Sequence, residues 1–313
     1  MSALLDASPP SLLEAAFDGL GVACVPSGPS RWVIADPRWP RHLNARLDSR
    51  WLEIGGPLPD GAERHSPWDL LDANAHLAGP SRFALGPDRV ACLCAELPRE
   101  TEGLAEWARA FVLDLGQARE LLERSRAAWV AVPPAGASGP EPPVALDTVR
   151  AALESAGWSF TQRSETRLMV PLEVPDAFVQ ASVTLFESGR AGAAVEIGCF
   201  ERLSPLARRA LGTLLLSASG LVRLARPEVR VDEEERCTVA FATRLATPVS
   251  VAALDHALNS LTAAARLCGR EVEALTALPL ARTFLHVHRA GSREIRLSDA
   301  PLHNPEGGSH GTE

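Results

Sequence analysis

The chain contains no lysine and no tyrosine, so all 31 of its basic residues are arginine. These two absences exclude several chemistries. A phosphate-cradling P-loop needs its lysine ammonium, and a pyridoxal enzyme needs a lysine amine for the Schiff base. Short-chain dehydrogenase chemistry pairs a tyrosine with a lysine, and protein kinases need a lysine on a strand. Other absences narrow the field further. Six cysteines (Cys24, Cys92, Cys94, Cys199, Cys237, Cys268) form no C-x-x-C pair, so neither a zinc ribbon nor a thioredoxin-like site is offered. No G-x-S-x-G elbow presents a serine nucleophile. Gly19-x-Gly21 lacks a third glycine and follows a helical pattern, so it reads as a helix stop and not a dinucleotide loop.

A net charge of −8 gives no basic footprint for nucleic acid. The segment from Met1 to Gly21 has an early acid and no basic region before its short apolar stretch, unlike a secretory signal. The apolar run Leu211 to Leu224 is broken by Ser217, Ser219, Gly220 and Arg223, short of the roughly 20 residues a membrane span needs. A cytoplasmic protein is expected, with no nucleic acid or membrane as partner.

The 313 residues suggest about two domains at roughly 150 residues each. A Pro/Gly-rich linker at 131–146 separates a first domain, 1–130, from a second, 147–278, and residues 279–313 read as a hairpin followed by a disordered tail. Each half shows a helix, a set of strands, a middle helix opening Ser-Pro (Ser66-Pro67, Ser204-Pro205), two strands and a long closing helix. The expected order is α-β-β-β-α-β-β-α, an α+β class, with one extra strand-like run in the second half. Gly21 maps to Gly157 and Leu97 to Leu245, which predicts internal duplication.

The stretch Trp68 to Pro98, through Leu70, Leu71, Ala73, Asn74, Phe83, Leu85, Val90, Glu96 and Leu97, resembles the type III secretion chaperone-like superfamily. In the second half LLLSAS, Leu214 to Ser219, stands where the first has LLDAN. The resemblance implies a non-enzymatic protein-binding domain, with two copies in one chain forming an internal pseudo-dimer. On that footing the chain is expected to be a chaperone or adaptor that docks a partner protein segment on apolar surface and sheet edges. The alternatives are a structural or regulatory subunit of a cytoplasmic multiprotein assembly and, third, an enzyme with an unrecognised site. No cofactor and no metal are expected.

Candidate contact residues come from the tryptophans, six of whose seven lie in the first 129 residues. Tryptophan with arginine is the composition of binding hot spots. Trp39, between Pro37-Arg38 and Pro40-Arg41, is expected to be an exposed contact, and Trp32 and Trp51 complete the candidate partner-binding set. His286 and His288 would share a strand face, with His303 as a third ligand in reserve, yet a solvated hairpin face is the simpler reading. Cys92 and Cys94 also share a face. They are too stretched for a disulfide and read as core packing. Arg202, Arg208 and Arg209 bracket the start of the second middle helix and are expected to pair with Asp232 to Glu235.

Overall fold

The computed structural model describes residues 9–100, 103–124, 144–175, 177–186, 190–234, 236–245 and 249–298. The expected linker falls largely outside them, as does the tail from 299, including His303.

Helix α1 (Pro9–Asp18) stops at Gly21, whose φ is +69°. Val22 N–H reaches back to Phe17 O (3.2 Å), closing a Schellman turn that glycine enters without strain. Strands β1 (Ala23–Gly28) and β2 (Arg31–Ala35) follow. The third of the three expected strands, the strand-like run Ala45 to Ile54, is two strands, β3 (Leu43–Leu47) and β4 (Trp51–Pro57). Asp48 divides them, because its carboxylate accepts from Arg50 N–H and Trp51 N–H, both at 2.7 Å. Next come α2 (Pro67–His76), β5 (Arg82–Leu85), β6 (Ala91–Pro98) and α3 (Leu104–Glu123). Ser66 and Asp69 form the capping box that starts α2. The helix ends at His76, ahead of Gly79, which has a different task. Its N–H is held by Asp114 (2.7 Å), and a Cβ there would collide with that carboxylate.

The second half repeats the order as α4 (Leu146–Ser155), β7 (Thr161–Ser164), β8 (Arg167–Val174), β9 (Ala177–Leu185), β10 (Ala191–Glu201), α5 (Pro205–Leu221), β11 (Arg226–Val231), β12 (Arg236–Arg244) and α6 (Val251–Ala274). Helix α4 ends in the same turn: Gly157 has φ +79°, and Trp158 N–H donates to Leu153 O (2.9 Å). Both halves therefore read α-β-β-β-β-α-β-β-α, and the expected three-strand first half is corrected to four. Each builds one antiparallel six-stranded sheet, ordered β1-β2-β3-β4-β6-β5 and β7-β8-β9-β10-β12-β11. The two orders are identical strand for strand. The chain is α+β.

One face of each sheet is the core. Trp32, Ile34, Leu43, Ala45, Leu52, Ile54 and Ala95 are buried on the first, on the side of α1 and α3; Leu168, Val170, Ala181, Val183 and Val195 are buried on the second, beneath α6. The middle helices lie between the halves. Helix α2 packs on β11 and α5, while α5 packs on β5 and α2, so each middle helix rests on the other half's sheet. Close approach needs glycine here: a Cβ at Gly212 would come within 2.7 Å of the Pro67–Trp68 backbone.

The C-terminal hairpin is overturned. Residues Leu278–Ser298 form a helix, α7, packed along α5, with Ala281 and Leu285 buried and Phe284 half-buried. Those positions follow the 3.6-residue period, and Pro279 sits in the first turn, where its missing N–H is no loss. Gly291 is carried inside the helix at a cost of about 1 kcal/mol against alanine. Among the described residues, no helix is long and apolar enough to cross a membrane.

Candidate functional site

Strand register sets the first sheet's second face, the one turned away from its core. Arg31, Arg46, Glu53 and Glu96 stand in one row across β2, β3, β4 and β6. Val33, Asn44, Gly55, Cys94 and Arg82 form the neighbouring row, which reaches β5. The end of α5 and one side of α6 lie over this face and leave an open groove of about 820 Å³. Asn44, Arg46, Trp51, Glu53, Cys94 and Glu96 line it from the first half; Arg223, His256, Asn259 and Ser260 do so from the second.

Trp51 is half-buried at the groove's edge. The Arg223 guanidinium stands 5.2 Å from the centre of its ring, and the His256 ring lies 5.3 Å away. Arg223 also pairs with Glu53 and, at 3.5 Å, with Asp48. Backbone donation from Arg50 is the first cause that holds the Asp48 carboxyl below its usual range, with Arg223 contributing. His256's neighbour Asp255 faces elsewhere and accepts from the Trp158 indole (2.9 Å) in a second groove of about 1010 Å³ beneath α6. The carboxylates of the first groove are engaged by guanidinium groups, Glu53 by Arg223 and Glu96 by Arg82.

Three buried polar groups tie the halves together. Asn74 accepts from Phe83 N–H (2.7 Å) and donates to Phe83 O (3.1 Å) and, across the interface, to Pro227 O (3.0 Å). Arg82, the first residue of β5, donates to Ser219 Oγ (2.8 Å) and Ser219 O (3.0 Å) at the end of α5, and holds Glu96 with two hydrogen bonds. Arg226, the first residue of β11, donates to Leu77 O (2.8 Å) and Gly79 O (3.2 Å) beyond the end of α2. Each arginine thus caps the C-terminus of the other half's middle helix, where the dipole favours a cation. Burial alone would lower the Arg82 pKa; the charge and hydrogen bonds of Glu96 act against it and keep the guanidinium charged.

The expected contact tryptophans separate. Trp39 is not exposed: only 2% of it is accessible. The proline-flanked segment folds into a turn in which the Asp36 carboxylate accepts from Arg38 N–H (2.7 Å) and the Asp36 backbone carbonyl from Trp39 N–H (2.9 Å). Arg119 of α3 holds the turn down through Arg38 O (3.4 Å). Trp32 is also 2% accessible, on the core face, with its indole N–H donating to Glu14 (3.1 Å). Of the three, Trp51 alone faces the groove. His286 and His288 lie on α7 about 200° apart, so they share no face. Cys92 and Cys94 do share a face of β6, but half-buried on the groove side and not in the core. Among the described residues, Asp232 and Glu234 pair with Arg236 (2.7 and 3.2 Å) and not with Arg202, Arg208 or Arg209. Among the described residues, no group of three or more His, Cys, Asp or Glu side chains could hold a metal ion.

Sequence reasoning missed Arg82, Arg226, Arg223 and His256. The first two open the strand after each middle helix, a repeat visible once the halves are aligned. No family model, curated protein or solved structure matches this chain.

Proposed function

We propose that the chain is a tandem pair of secretion-chaperone-like domains, packed as an internal pseudo-dimer, that binds a segment of another protein without catalysing a reaction. One observation carries this reading: each sheet ends in an equivalent outer strand, β1 and β7, that pairs on one side among the described residues and is largely exposed. An edge of this kind is a template for strand addition. An exposed apolar side chain accompanies the first edge, Val25 on β1 (58% accessible); on the other sheet Phe178 (84%) stands near the start of β9, two strands in from β7. The identical strand orders and the reciprocal seating of α2 and α5 support the pseudo-dimer.

The test is a tagged pull-down from the native cell, with native mass of the eluate, run in parallel on wild type and a Val25→Lys/Phe178→Lys variant. The expected result is one stoichiometric partner, held about 10-fold more weakly by the variant. A partner retained equally by the variant, or a clean eluate at low salt, overturns the reading. A partner that is unfolded when free marks a chaperone; one that is folded marks a subunit of an assembly.

A further inference from the structure

Cys92 and Cys94 are two free thiols on one strand, and their setting is unlike that of the other cysteines. Both are half-buried on the face of β6 turned away from the core, and Cys94 lines the groove beside the end of α5. Each thiol lies over a carbonyl of β5, Cys92 Sγ 3.6 Å from Ala84 O and Cys94 Sγ 3.7 Å from Arg82 O. The Arg82 guanidinium, carried by the residue paired with Cys94, lies beside both thiols. Across β4, the residue opposite Cys94 is Gly55, where a Cβ would come within 3.4 Å of the Cys94 Cβ. Gly220, Leu221 and Val222 of the second half line the same groove with Cys94.

A disulfide does not fit this pair. Same-face neighbours on a strand are about 6.6 Å apart along the chain, whereas bridged Cβ atoms need roughly 3.8 Å. An ion inserted between the sulfurs spans the extra distance. With no third ligand at hand among the described residues, ions that require four donors, such as zinc, are poorly served. A soft ion satisfied by two thiolates is well served, and thiolates select copper(I) among biological metals.

We propose that Cys92 and Cys94 form a two-coordinate site for a soft monovalent metal ion, copper(I) or its probe silver(I). Binding replaces two S–H protons, which leave to solvent, by two metal–sulfur bonds; the metal keeps its oxidation state. The resulting dithiolate complex carries one negative charge and lies beside the Arg82–Glu96 pair, whose guanidinium is the nearest cation. Because Arg82 also grips Ser219, the site lies where the two halves meet, and metal occupancy bears directly on that contact.

The test uses the full chain under anaerobic conditions, with copper(I) supplied from a competing chromophoric chelator. One ion per chain is expected, with an X-ray absorption signature of two sulfurs and no nitrogen. Cys92→Ser and Cys94→Ser should each weaken binding by about 100-fold or more, since loss of a ligand exceeds the 10–100-fold typical of its supporting shell. A second measurement needs no variant: silver(I) at one equivalent should protect Cys92 and Cys94, and not Cys199, from alkylation mapped by peptide mass. Unchanged affinity in the Cys92→Ser/Cys94→Ser chain, a three-ligand signature, or protection of other cysteines instead would each overturn the proposal.

Discussion

The two halves reach across to one another with the same residue from the same place, an arginine opening the strand after the middle helix, yet they balance its charge differently. Arg82 meets Glu96 on the adjacent strand, and among the described residues that carboxylate otherwise receives only Leu224 N–H at 3.4 Å. Arg226 meets Glu228 two residues along its own strand (3.1 Å), and Glu228 also holds Arg230 (3.0 Å) and faces Arg244 (3.6 Å). At the position equivalent to Glu96, the second half carries Arg244. The first half therefore has one acid served by one base, and the second has one acid shared among three. A duplicated fold has kept the cross-half helix cap while letting the counter-charge move.

That difference makes the largest prediction asymmetric. Arg82→Met strands the Glu96 carboxylate in a buried site and should cost about 3–5 kcal/mol, the usual penalty for breaking a buried pair from one side. Arg226→Met removes an equally buried cation but leaves Glu228 with two guanidinium groups. Its cost should be nearer 1.5–3 kcal/mol, the range of a lost charged hydrogen bond. Urea unfolding of both variants checks the order. Adding Glu96→Gln to Arg82→Met should recover more than half of the loss, and a double-mutant cycle without such coupling would show that the pair is not what stabilises this end of the interface.

The next effect separates the middle helices. Asn74 makes three buried hydrogen bonds with Phe83 and Pro227, one of them across the halves, whereas Ser219, near the equivalent end of α5, accepts from Arg82 and donates to Ala225 O at 3.2 Å. Asn74→Ala should destabilise by about 2–3 kcal/mol and Ser219→Ala by about 1 kcal/mol. Equal losses, read from denaturant midpoints at constant m-value, would mean that the two helix ends contribute alike in spite of their different side chains.

Much of the fold was legible because it rests on local signals. Ser-Pro starts located α2 and α5, helical apolar spacing located α6, and the matched glycine stops at Gly21 and Gly157, after α1 and α4, exposed the repeat. Errors arose where one side chain or one distant contact decides. Asp48 splits a continuous strand pattern with two hydrogen bonds. Asp36 turns an apparently exposed Pro-Arg-Trp-Pro segment inward so that Trp39 is buried. Phe284-Leu285-His286-Val287-His288 alternates like a strand, while the wider spacing and the seat on α5 make it a helix. The groove was not legible, because Trp51 meets Arg223 and His256 from positions about 170 and 200 residues away.

The smallest prediction concerns two buried carboxylates that face Arg226, one from each half. Burial is the largest influence on Glu228 and pushes its pKa up, but Arg226, Arg244 and Arg230 together bring it below its ordinary value. A carboxylate with a depressed folded pKa stabilises above its unfolded value and loses that contribution as pH falls through the folded one. Asp114 behaves in the opposite way. Burial raises its pKa against the N–H groups of Ser81 and Gly79 and the charge of Arg226, so its contribution is full below the ordinary aspartate range and is lost as pH rises through the raised value. The two terms oppose one another over the acid limb, each limited to a slope of about 1.4 kcal/mol per pH unit. Glu228→Gln should flatten the loss of stability below the ordinary glutamate range, while Asp114→Asn should remove the decline above the ordinary aspartate value. Unfolding free energies measured across pH 3 to 7 separate them. If both variants shift the profile in the same direction, Arg226 is balanced by the two carboxylates as a single unit, and the division of charge between the halves is less complete than their hydrogen bonds indicate.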